Sequence, residues 1–115
     1  MRLSTKDQLH SFFKAYSELE LIKQKDLDEI LENIITYRAL ERIISILAIT
    51  TKRLKKLNPQ WNVPHYNLII KIKNQIIWDI QKLKKNFLIY VLNKILPDIY
   101  SYFKKHLDKL DNNEE

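Results

Sequence analysis

Leu9, Phe12, Phe13, Tyr16 and Leu19 follow one another at steps of three and four, which puts one apolar stripe along a helix. Thr5 with Gln8 makes a capping box, so the first helix is predicted from there to about residue 23. Gln24-Lys25 is a short connection typical of antiparallel neighbours, and Asp26 with Glu29 repeats the capping signal. The next helix is predicted to run unbroken from 27 to about 57. Its first part is amphipathic through Leu27, Ile30, Leu31, Ile34 and Ile35. Ile43, Ile44, Ile46, Leu47, Ala48 and Ile49 are apolar nearly all round, which only a helix covered on several sides tolerates. This is the expected central helix.

Asn58-Pro59 stops it, because proline disfavours helix for the residue before it and offers no N–H. Residues 58–66, with Pro64, form the one clear loop. A third helix is predicted over about 67–85, with Ile69, Ile72, Ile76, Ile80 and Leu83 on one face. Asn86 caps a short fourth helix reaching 96, and Pro97 fits the first turn of a fifth. Ile99, Tyr102, Phe103, Leu107 and Leu110 give that last helix its buried side. The expectation is an all-α chain: one antiparallel helical bundle of four to five helices over residues 1–110, then a disordered, solvated tail at 111–115.

Composition narrows the chemistry. The 115 residues include no Cys, which excludes a disulfide framework, a Cys-based zinc site and a thiol nucleophile. Glycine is also absent, which excludes a Gly-rich phosphate loop and a dinucleotide fingerprint. No uninterrupted apolar run approaches the ~20 residues of a membrane span, and Met1-Arg2 leads into an amphipathic segment. A soluble, cytoplasmic protein without a membrane partner is therefore expected. His10, His65 and His106 sit on different predicted elements and share no ligand spacing with a carboxylate. No metal and no cofactor are expected, and His65 is read as a loop histidine that packs.

The net charge of +6 is modest, but its distribution is uneven. From Arg42 to Lys94 there are eleven Lys or Arg and a single acid, Asp79, whereas Glu18, Glu20, Asp26, Asp28, Glu29, Glu32 and Glu41 gather in the first third. One acidic and one basic region follow from that. The candidate RNA- or nucleotide-binding residues are Lys52, Arg53, Lys55 and Lys56 at the end of the central helix, and Lys71, Lys73, Asn74, Lys82, Lys84 and Lys85 along the third. Cations at helix ends also complement the macrodipole, so a structural role stands beside the binding one. The scarcity of acids among them favours binding. Tyr90, Tyr100 and Tyr102 are read as core or dimer packing rather than as base-stacking residues.

Three stretches, taken together, resemble the HEPN superfamily, specifically its HepT-like toxins encoded beside MntA-type nucleotidyltransferases. Ala39-Leu-Glu-Arg42, the apolar run after it and the basic Lys52-Arg53 resemble that family's Ala-x-x-Arg helix. Val63-Pro64, leading through Leu68-Ile69-Ile70 to Lys73-Asn74, is similar to its Ile-Pro-Trp, apolar, Arg-Asn passage, with His65 where Trp is usual. Ile95-Leu96-Pro97-Asp98-Ile99 resembles the Leu-Pro of its final helix. The resemblance implies a homodimer and a metal-independent ribonuclease motif of Arg, four residues, His, one residue and Tyr. In that family Arg steadies the phosphate, His does acid/base chemistry, and the MntA-like partner modifies the Tyr with AMP.

Carried over, those positions are Lys73, Trp78 and Ile80; only Asn74, which follows the Arg, is retained. Lys73 keeps a charge but loses the bidentate fork that fits a phosphate. Trp78 neither donates nor accepts a proton near neutral pH, and Ile80 has no hydroxyl. Asp79 is a base in principle, yet a carboxylate ringed by lysines is held ionised and so only weakly basic. The resemblance thus implies a binding or regulatory module for RNA, a nucleotide or a nucleotidyltransferase-type partner, with the ribonuclease chemistry lost. Two rival readings remain open. One is an active metal-independent endoribonuclease using a displaced set such as Lys73 and His65. The other is a small helical subunit of an RNA-guided CRISPR effector, which Thr5-Lys-Asp-Gln8-Leu9 and Tyr102-Phe103-Lys104 also resemble.

Overall fold

The computed structural model describes residues 4–76 and 83–113, and among these it is all-helical, with no strand. The elements are α1 (Thr5–Ile22), α2 (Leu27–Glu32), α3 (Ile34–Leu57), α4 (Tyr66–Ile76), α5 (Lys85–Tyr90), a π-helical segment (Val91–Ile95) and α6 (Leu96–Asn113). No helix among the described residues is long and apolar enough to cross a membrane.

Helix α3 lies antiparallel to α1, its end tied to the start of α1 by a hydrogen bond from Asn58 Nδ2 to Thr5 Oγ1 of 3.1 Å. Between them the predicted stripe residues Leu9, Phe12, Tyr16 and Leu19 meet Leu40, Ile44, Leu47 and Leu54, all buried. Ile69 and Ile72 of α4, and Ile99, Phe103 and Leu107 of α6, close the same core. Aromatic rings join α1 to α6: Phe12 meets Phe103 edge-on at 4.9 Å, and Tyr16 lies 4.5 Å from Tyr100. Burial, reinforced by Glu20 and Tyr100, pushes the Tyr16 phenol up to about 12.

Several predicted boundaries are corrected. Ser4, not Thr5, caps α1: its side chain accepts from Asp7 N at 3.0 Å, and Gln8 is buried instead of reaching back to a cap. The helix expected unbroken over 27–57 is interrupted at Asn33, whose backbone is extended. There Asn33 Oδ1 accepts from Ile35 N and Thr36 N, while Thr36 Oγ1 donates to Ile30 O. Short polar side chains thus offer the backbone an alternative to helix at that point. The expected third helix does not reach 85: Lys84 is extended and a new helix starts at Lys85, leaving Asn86 one residue inside it. Residues 111–113 belong to α6 rather than to a tail, and Asp111 pairs with Lys6 at 3.1 Å.

The fourth and fifth helices expected on either side of Pro97 are one continuous rod from Lys85 to Asn113, widened at the π segment. Proline lacks an N–H and its ring crowds the carbonyl four residues back, so a regular α-turn there is unfavourable. The chain answers with a wide turn in which Leu96 N donates to Val91 O, five residues earlier. That shift takes Leu96 N away from Leu92 O, and Pro97 has no N–H to replace it. Lys23 Nζ, arriving from the end of α1, donates to Leu92 O at 3.2 Å and fills the gap.

Candidate functional site

On α4 the residues Leu68, Lys71, Ile72 and Gln75 recur at steps of three and four and form one wall of a groove of 430 Å³. Leu83, Lys84 and Phe87 form the other. Ile72 and Leu83 are buried at the base, Leu68 and Phe87 are half-buried, and Lys71 and Lys84 stand exposed. The groove therefore pairs an apolar base with two cations, and among the described residues no acid lines it. Such a site can hold a base or ribose against Leu68 and Phe87 and a phosphate against the ammonium groups. Because both cations are lysines, they attract a phosphate as point charges without the bidentate geometry of arginine.

The candidate cations do not share one site. Lys71 and Lys73, two residues apart, diverge by about 200° around a helix of 3.6 residues per turn, and the half-buried Lys73 is absent from the groove wall. Asn74 is exposed but also outside the groove. Lys85 pairs with Asp28 at 2.6 Å, and that carboxylate raises the lysine's pKa. Here the basic and acidic regions meet. Lys52, Arg53 and Lys56 are exposed on the last turns of α3. Lys55 is committed to the fold, donating to Pro59 O at 2.8 Å and to Trp61 O, so it braces the loop before α4. Lys82, Trp78, Asp79 and Ile80 lie outside the described residues.

The histidines separate as well. His10 is exposed on α1. His106 stacks on Trp61 at 3.9 Å, and burial together with Lys109 holds its pKa below the ordinary value. His65 adopts φ 58°, a left-handed conformation uncommon outside glycine, immediately before α4. Its Nε2 lies 2.8 Å from Asp98 Oδ2, which Lys94 Nζ also reaches at 3.2 Å. Lys73 is two helical turns beyond His65, about 12 Å along the axis. The pair suggested for a displaced nuclease site is thus not assembled, and Asp98 and Lys94 stand at His65 instead. Their contact spans 33 residues of sequence, which helical periodicity does not register. Among the described residues no group of three His, Asp or Glu is placed to hold a metal ion. Tyr100 and Tyr102 pack on aromatic neighbours, and Tyr90 is exposed.

The hydrogen bond from His65, and after it Lys94, hold the Asp98 carboxyl below its ordinary range. A carboxyl more acidic in the folded than in the unfolded chain stabilises fully above its unfolded pKa, and that contribution is lost as pH falls through the folded value. Asp98→Asn is accordingly expected to lower Tm at about pH 6, with the gap to the parent protein closing towards about pH 3. Paired thermal melts across that range check it; a gap constant with pH would mean that Asp98 acts only through packing.

No family model matches the chain, and no curated protein or solved structure matches it significantly.

Proposed function

We propose that this protein is an RNA-binding helical module of the HepT-like, HEPN type, whose ribonuclease chemistry has been lost. The observation that carries the binding half is the groove between α4 and α5, where Lys71 and Lys84 stand over an apolar base with no acid among the described residues of the lining. Phosphate attraction at lysines and apolar contact with a base are the two elements of sequence-tolerant single-strand binding. The second half rests on the residues that occupy the motif positions, Lys73, Trp78 and Ile80, which supply neither the histidine's acid/base group nor the tyrosine's hydroxyl.

Fluorescence anisotropy with a short single-stranded RNA over a range of salt tests the proposal. Lys71→Ala and Lys84→Ala are each expected to weaken binding roughly three- to tenfold and to reduce the salt slope by about 0.7, the value for one single-strand phosphate contact. Lys55→Ala, whose ammonium already serves the loop, should leave the slope unchanged. Equal binding by all three variants would remove the groove from consideration. The His65–Asp98 pair favours a second reading, a nuclease, and the same RNA incubated with EDTA separates the two. Cleavage by the natural protein that disappears in His65→Ala would establish the nuclease.

A further inference from the structure

A cavity of 170 Å³ opens where the end of α1, the start of α2 and the π segment meet, and it shares no lining residue with the groove between α4 and α5. Ile30 of α2, Leu40 of α3 and Leu92 of the π segment form its buried floor. Its mouth carries Lys23, Lys25 and Asn93, and among the described residues no acid lines it. The turn that ends α1 sets both lysines in place: Gln24 N and Lys25 N donate to Leu21 O and Ile22 O at 3.4 and 3.1 Å. The π segment supplies Leu92 to the floor and Asn93 to the mouth, and widened turns of this kind recur at functional sites.

The charges at the mouth are available to a ligand. Lys23 gives one of its three N–H donors to Leu92 O at 3.2 Å, and two remain. Among the described residues Lys25 has no ion-pair partner. The acids that open α2 serve Lys85 instead: Asp28 pairs with it at 2.6 Å, Asp26 adds to the field at the same ammonium, and neither lines the cavity. Polar groups thus stand at one end of the cavity and aliphatic surface at the other, which fixes the order of groups in what fills it. A nucleotide or a peptide would carry polar atoms onto a floor that offers them no partner. The volume also lies below the ~300–1,000 Å³ of sites for drug-sized ligands. Room of this size, near the ~150 Å³ of an apolar cavity that takes benzene, suits a tail of about six or seven carbons.

We infer that this cavity binds a medium-chain aliphatic monocarboxylate, its tail on Ile30, Leu40 and Leu92 and its carboxylate between the Lys23 and Lys25 ammonium groups. Two oxygens on one head meet two cations, and the tail carries no polar atom into the floor. Because Lys23 also completes the backbone of the π segment, the bound carboxylate holds the end of α1 against the α5–α6 rod. The site is independent of RNA binding, since none of its residues lines the α4–α5 groove.

Titration calorimetry of the natural chain with butanoate, octanoate and dodecanoate, each below its micelle concentration, tests it. Octanoate is expected to bind at a single site and most tightly of the three, because butanoate leaves the floor unfilled and dodecanoate exceeds the cavity. Octylammonium, the same tail with the opposite charge, is expected not to bind. Lys25→Ala should weaken octanoate roughly two- to fivefold, the range of an exposed ion pair, with unchanged circular dichroism because position 25 is exposed. Lys25→Glu, which sets a like charge at the mouth, should weaken it further. Arg42→Glu, beside the separate groove between α1 and α3, should leave octanoate binding as it is. Absence of octanoate binding, affinity that climbs steadily to dodecanoate, equal binding of octylammonium, or indifference to Lys25→Glu would each overturn the site. Tighter binding of a short peptide ending in leucine would also overturn it, giving the cavity to a protein C-terminus. RNA anisotropy with octanoate present reads the α4–α5 groove separately and is expected to be unchanged.

Discussion

Phe12→Ala is expected to lower the free energy of unfolding by about 3–5 kcal/mol, the usual cost of truncating a fully buried phenylalanine. Phe12 has no exposed surface, and its ring is shared among three neighbours: Phe103 at 4.9 Å, Phe13 at 5.7 Å and Tyr16 at 6.1 Å. Through Phe103 it joins α1 to α6, two elements that are otherwise far apart in sequence. Truncation removes both the transfer energy of the ring and the edge-to-face contacts, and leaves a cavity between two helices braced by other contacts. Against a total of about 5–15 kcal/mol for a domain, this is a large fraction. Phe12→Leu, which fills most of the same volume, should cost considerably less. Urea unfolding followed by circular dichroism measures both; a loss below about 1 kcal/mol for Phe12→Ala would show that α1 and α6 collapse onto the space.

The core was legible because it depends on periodicity. Leu9, Phe12, Tyr16 and Leu19 face inward on α1 as their spacing required, and Ile44, Leu47 and Ala48 are fully buried on α3, as an all-round apolar run implies. Local polar chemistry was harder to read. Asn33 and Thr36 carry the groups that interrupt the helix at 33, but an apolar pattern continuing on both sides hides the break. Pro97 was legible as a disturbance and not as a π-turn, because a proline can be accommodated either by a new helix start or by a widened one.

The candidate site was legible as a region and not as an arrangement. Counting cations picks out 52–56, 71–73 and 82–85, but says nothing of which ammonium groups remain available. Lys55 is held by loop carbonyls, Lys85 by Asp28, and Lys23, which had no assigned role, by Leu92 O. Lys71 and Lys73 are close in sequence and on different sides of α4. The partner of Lys71 across the groove is Lys84, thirteen positions on, brought there by a new helix start that no periodicity announces.

Lys23 supplies the other large effect. Lys23→Met keeps most of the aliphatic stem but removes the ammonium donor, and is expected to cost about 1–3 kcal/mol, the range for losing a hydrogen bond from a charged donor to a part-buried carbonyl. The acceptor is Leu92 O, and it lacks a backbone donor for two reasons that are both local: Leu96 N is turned to Val91 O, and position 97 is proline. That dependence makes the prediction sharper than a stability loss alone. In a Pro97→Ala background an N–H returns to position 97 and can serve the carbonyls of the π segment, so the same Lys23→Met change should cost markedly less. A double-mutant cycle from urea unfolding of the four proteins measures the difference, and contacting groups of this kind usually couple by about 0.5–3 kcal/mol. Strict additivity would mean that Lys23 stabilises through its stem alone and that the widened turn satisfies its own carbonyls. Coupling would mean that α1 holds the α5–α6 rod by completing a backbone that proline leaves one donor short.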